Sequence, residues 1–177
     1  MDRRTLLTGG TLLVAATLTH EAGARSERVA ATAEDAELMK LAIDQAQSGD
    51  YPFGAIIARD KNVLALAHNS VKSQHDPTAH AAMMAIRAFL AGHEPEDFAN
   101  TTIYVSGEPC PMCMGAIIWC GLKRVVYAAS IQQLSKKIDQ INVSARSIAN
   151  AAPFTEVQIT SGVLADEALK LLDNDKK

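Results

Sequence analysis

Glu108-Pro109-Cys110-Pro111-Met112-Cys113 decides how this chain is read once it is set beside Asp76-Pro77-Thr78-Ala79-His80-Ala81-Ala82-Met83. Pro111 suits the first position of a helix, where its missing N–H costs nothing, so the spacing places Cys110 at the N-cap and Cys113 at N3. Both sulfurs then lie at the positive end of the helix, which favours negative charge and lowers thiol pKa. The upstream stretch repeats the plan, with Asp76 expected as N-cap, Pro77 at N1 and His80 at N4 of a helix reaching about Gly92. Two helix starts facing one cation supply three ligands. A Cys/Cys/His set leaves a fourth position for water, the arrangement of catalytic rather than structural zinc. Taken singly these signals are weak: a C-x-x-C is as often a redox pair, and a lone histidine is more often packed than ligating. The joint pattern names His80, Cys110 and Cys113 as zinc ligands, with structural zinc and a redox dithiol as the alternatives.

These residues resemble the zinc-dependent cytidine/nucleobase deaminase superfamily, whose signature is H-x-E followed by P-C-x-x-C. Phe53-Gly54-Ala55-Ile56-Ile57 and Asn69 upstream, and Gly115-Ala116-Ile117-Ile118-Trp119 downstream, extend the likeness. They are similar to the branch that holds guanine deaminases, fungal-type cytosine deaminases and tRNA adenosine deaminases. The likeness runs from about Ala36 to Ala129 and then fades. It implies a cytidine-deaminase-like fold, one zinc, a homodimer, and hydrolysis of the amine on a planar nitrogen heterocycle with release of ammonia.

One position departs from the signature. Where the family has the glutamate that moves protons between water, ring and leaving amine, this chain has Ala82. Glu108 belongs to the E-P-C element and is read as a supporting group rather than a replacement. The chain is therefore expected to be nearly inactive. Two origins are open, an engineered Glu-to-Ala change and a natural pseudoenzyme that binds nucleobases as a sensor or scavenger.

Further site residues follow from the likeness. It places the Asn69 amide against the substrate, where an amide both donates and accepts, with a plain turn residue as the alternative. Phe53 is expected as an apolar wall for a planar ring, or as core. Ala81 is expected beside the substrate. Trp119 is expected to line the site of its own or a neighbouring subunit, or to pack in the core or a dimer interface. Cys120 reads as core, and His68, His75 and His93 lack ligand spacing. Guanine-like or cytosine-like bases or nucleosides are the expected substrates.

At 177 residues, 48% hydrophobic and 21% charged, the chain has ordinary globular composition for one domain. A net charge of −3, a pI of about 5.9 and no basic stripe disfavour a nucleic-acid partner. Residues 1–24 read as a twin-arginine export signal. Arg3-Arg4 precedes an apolar run from Leu12 to Leu18, and Ala22-Gly23-Ala24 is a small-x-small cleavage site. The run is far short of the roughly 20 residues that span a bilayer, so no permanent anchor is expected. The reading implies a periplasmic mature chain from about Arg25.

Residues 25–32 read as a mobile linker and 33–177 as the domain. Within it the pattern predicts a helix over Ala33–Gly49, a hairpin of Phe53–Ala58 and Val63–His68 about Arg59-Asp60-Lys61-Asn62, and the His80 helix. A loop over Glu94–Thr101, strand Thr102–Ser106, the cysteine helix to about Gly121 and strand Arg124–Ala128 follow. Last come a short helix near Val143–Ala151, strand Glu156–Ile159 and helix Ala165–Leu172. A long crossover makes the last two strands parallel. The order predicts a three-layer α/β/α domain on a mixed five-stranded sheet.

Overall fold

Three strands of this chain are buried on both faces, which requires cover from two sides. They are β2 (Gly54–Arg59), β4 (Thr102–Gly107) and β5 (Arg124–Ala129), each with five consecutive buried residues. The cover comes from helices on opposite faces. The computed structural model describes residues 26–174, and in chain order its other elements are β1 (Glu27–Arg28), α1 (Ala33–Ala46), β3 (Asn62–His68), α2 (Ala81–Leu90), α3 (Pro111–Trp119), α4 (Ile131–Leu134), α5 (Ala145–Asn150), β6 (Gln158–Ser161) and α6 (Ala165–Asn174). A 3-10 turn, Pro95–Phe98, lies in the stretch expected as a loop.

The strands form one mixed sheet in the order β1-β6-β5-β4-β2-β3. β2 pairs antiparallel with β3 and β4, while β4, β5 and β6 run parallel, as a long crossover between β5 and β6 requires. Because successive side chains point to opposite faces, Ile57, Ile103, Val105 and Val125 join α2 and α3 in one core. Ile56, Tyr104, Val126 and Ala128 join α1 and α6 in the other. Gly54 lets β2 run against α1, since a Cβ there would stand 2.1 Å from the Ala42 carbonyl oxygen.

The three-layer architecture is as expected, with six strands among the described residues rather than five. The extra strand is Glu27–Arg28, inside the segment read as a linker. It pairs parallel with β6, Glu27 opposite Gln158 and Arg28 opposite Ile159. Both residues are exposed, so backbone hydrogen bonds hold the strand and no apolar alternation announces it. The segment expected to be an export signal, residues 1–24, lies outside the described residues.

α1 is tied to the sheet by a buried ion pair. Thr32 caps the helix, and Asp35 at N3 closes a capping box with it. The Asp35 carboxylate also accepts from both Arg124 Nη atoms at 2.8 Å and from the Tyr104 hydroxyl at 3.1 Å. Burial pushes the acid upward, but the hydrogen bonds from Arg124 and Thr32 win and hold Asp35 at about 2. Burial and the neighbouring Asp35 charge push the Tyr104 hydroxyl up to about 12.

Candidate metal centre and active site

The two ligand-bearing helices start side by side on the α2/α3 face. Cys110 is the N-cap of α3, Pro111 is N1 and Cys113 is N3, as the spacing predicts. His80 corrects the expectation: it is the N-cap of α2 rather than N4. The cause lies in Asp76, whose Oδ1 accepts from the Thr78 N–H and hydroxyl at 2.8 and 2.6 Å and closes a turn before the helix begins. Arg87, one helix turn short of the α2 terminus, donates to Asp76 Oδ2 and Thr78 Oγ1 and holds that turn in place.

His80 Nδ1 lies 3.6 Å from Cys110 Sγ and 3.7 Å from Cys113 Sγ. All three ligand atoms fall within 4.8 Å of one another. Bonds of about 2.0–2.1 Å to nitrogen and 2.3 Å to sulfur at a tetrahedral ion put N and S roughly 3.6 Å apart. The donor set therefore fits zinc in chemistry and spacing. Neither Cys110 nor His80 spends its side chain on capping its helix. A hydrogen bond from the Cys113 thiol, and then His80, pulls Cys110 down to about 4. The Cys110 thiolate in turn pushes Cys113 far up, with burial adding to it. His80 is raised, chiefly by its hydrogen bond with Cys110. The two cysteines are thus pushed in opposite directions, Cys110 toward thiolate and Cys113 toward thiol, and a bound cation would displace the Cys113 proton.

The ligands sit at the bottom of a cavity of about 780 Å³ whose lining includes Phe53, Asn69, Ala81 and Ala82. The Phe53 ring lies over Gly107, where a Cβ would stand 2.9 Å from the ring edge. Asn69 is buried, and its Oδ1 accepts from the Val71 N–H at 3.2 Å, which leaves the amide nitrogen as the group to donate. Asn69 is thus both a turn residue and a wall of the cavity. Ala82, at N2 of α2, is buried and faces the same space.

Glu108 is a supporting group. Its two carboxylate oxygens accept from the Ile131 and Ala145 N–H groups at 2.7 and 2.8 Å, so it anchors the starts of α4 and α5. Trp119 does not line the cavity: it is 79% exposed and stacks on Phe154, with ring centroids 5.1 Å apart. That placement also removes it from the core. Cys120 is half-buried at the end of α3 and packs against the core.

Among the lining residues that sequence reading missed are Tyr51, Leu134, Ile138, Asp139 and Gln140. The last four belong to the stretch after β5, where no motif or periodicity marks them. Proximity of that stretch to the ligands is a tertiary fact.

Residues 32–129 match the model of the cytidine and deoxycytidylate deaminase zinc-binding region. The chain belongs to this deaminase family. It is 35% identical over 146 residues to a tRNA-specific adenosine deaminase of Buchnera aphidicola, covering 79% of this chain and 92% of that protein. A guanine deaminase of Bacillus subtilis is 45% identical over 78 residues, 44% of this chain and 50% of that protein. Among solved structures, a guanine deaminase from Nitrosomonas europaea superposes with a TM-score of 0.65 at 23% identity, covering 98% of both chains, a likeness of fold. Both the zinc site and the cytidine-deaminase-like architecture agree with membership.

Proposed function

We propose that this chain is built as a zinc-dependent hydrolytic deaminase of a small amino-substituted nucleobase or nucleoside, guanine-like or cytosine-like, and that Ala82 leaves it nearly inactive. The observation that carries the reading is the meeting of His80, Cys110 and Cys113 at the floor of a cavity walled by Phe53 and Asn69. Zinc held there supplies Lewis-acid activation of water. The chain's own residues do the rest. Phe53 packs on one face of a planar ring, Asn69 donates to its polar edge, and Ala81 lines the approach to the ligands. The reaction exchanges a ring C–N bond for a C–O bond, water in and ammonia out, and its proton traffic needs an acid/base that Ala82 does not provide.

Ala82 also favours a second reading, a zinc-containing pseudoenzyme that binds the same bases as a sensor or scavenger. Whether the native gene encodes Glu or Ala at position 82 separates an engineered from a natural origin. The acidic chain disfavours a nucleic-acid substrate, although a tRNA deaminase is among its relatives. The export signal supports a periplasmic setting. We read the exposed stack of Trp119, the last residue of the apolar helix α3, on Phe154, which follows α5, as the face of a homodimer.

Ala82→Glu is expected to raise ammonia release by about 10²–10⁴-fold, the scale of a positioned acid/base. Guanine, guanosine, cytosine, cytidine, adenine and adenosine form the panel, with calorimetry on the Ala82 form to show binding without turnover. Binding or conversion of none of them by either form, with zinc and fold intact, overturns the nucleobase assignment. Turnover by the Ala82 form at the rate of the Glu variant overturns the inactivity.

A further inference from the structure

A second cavity, of about 540 Å³, lies on the other side of Glu108 from the metal centre. Two guanidinium groups line it, Arg28 from β1 and Arg146 from α5. Among the described residues neither is within ion-pair distance of a carboxylate. Glu108, the acid in the wall, has both oxygens engaged by backbone N–H groups. Arg146 donates through Nη1 to the Ser26 carbonyl and hydroxyl, which leaves the rest of its fork free.

The neutral lining groups are amides and hydroxyls, which can donate to an oxyanion. Asn142 lines the cavity with its amide 2.5 Å from the Ser135 hydroxyl, which also lies 2.7 Å from the Ile131 carbonyl oxygen. Gln132 faces the cavity as well. Two cations against the single carboxylate of Glu108, whose oxygens each already hold a backbone N–H, leave a local excess of positive charge, and forked guanidinium groups match a tetrahedral oxyanion. The net charge of this chain is −3, so the local excess of positive charge is not a general property of its surface.

We propose that this cavity is a binding site for a phosphate-class oxyanion, held between Arg28 and Arg146 and separate from the zinc site. Its volume admits phosphate with a small organic group attached. The site depends on β1, since that strand carries Arg28, which gives the edge strand a role beyond extending the sheet.

The test is calorimetric titration of the full-length, zinc-loaded chain with inorganic phosphate at constant ionic strength, with acetate as a second probe. Saturable phosphate binding is expected. It should weaken about tenfold or more in Arg28→Met, the scale of one charge-assisted hydrogen bond, and likewise in Gln132→Glu, which adds a carboxylate to the wall. Zinc content and circular dichroism should be unchanged. Should Arg28→Met fail to fold, Gln132→Glu decides, because its exposed side chain holds no element in place. Absence of saturable binding, or equal affinity in the wild-type and folded variant chains, overturns the proposal. Acetate binding as tightly as phosphate overturns the phosphate class.

Discussion

The starts of α1 and α3 lie on opposite faces of the sheet and use the same two backbone positions for different ends. At α1 the N-cap Thr32 and the N3 Asp35 satisfy the free N–H groups of the helix, and Arg124 and Tyr104 seal the carboxylate from above. At α3 the N-cap Cys110 makes no side-chain capping bond, and the sulfurs of Cys110 and Cys113 turn to His80. A closed polar cluster fixes where a helix sits. An open one, left at the positive end of two helices and over a cavity, keeps its charge-stabilising capacity for something else.

Substitutions at either start sharpen the contrast. The largest effect is expected at the open cluster: Cys110→Ser with Cys113→Ser should reduce zinc from about one ion per chain to none by elemental analysis. Retention of zinc in that double variant would place the ion elsewhere. At the closed cluster, Arg124→Met strands a buried carboxylate and should cost about 3–5 kcal/mol in urea unfolding. A loss comparable to that of an ordinary surface substitution would mean that Asp35 finds water instead.

The closed cluster also predicts an acid limb. The folded pKa of Asp35, about 2, lies below its unfolded value of about 3.9. Its contribution is therefore present above that unfolded value and lost as pH falls toward 2. Urea midpoints measured from pH 5 downward should fall less steeply in Asp35→Asn than in the parent, after the constant offset is removed. Parallel curves break the argument. The smallest effects are at the caps. Thr32→Ala should cost about 1 kcal/mol. Cys110→Ser in chelator-treated protein should instead gain a few tenths to about 1 kcal/mol, since serine caps a helix and Cys110 does not. A loss there would show that the thiolate itself stabilises the metal-free fold.

Legibility in the sequence followed the range of the interactions. Pro111 announces the start of α3 because its effect is confined to one turn, and Cys110 and Cys113 landed where the spacing put them. The same reasoning misplaced the start of α2, because Asp76 meets Thr78 and Arg87 rather than the helix N–H groups. Both proline-led stretches look alike locally, and only the partner of the carboxylate tells them apart. Asn69 and Phe53 line the cavity, whereas Trp119 stacks on Phe154 away from it. The two-residue strand β1 and the four-residue helix α4 are too short to carry a period.

By itself the sequence determined the layer order, the parallel run of the last strands, the three zinc ligands and the absence of an acid at position 82. These rest on apolar periodicity, on proline and cysteine chemistry within one turn, and on residue identity. The tertiary structure decided that His80 stands at the N-cap position of its helix with its side chain left for the cluster, that Glu108 engages both oxygens with two distant N–H groups, and that residues 130–144 wall two cavities at once. Those facts depend on which surfaces meet after the sheet has formed, and no local property of the chain encodes that meeting.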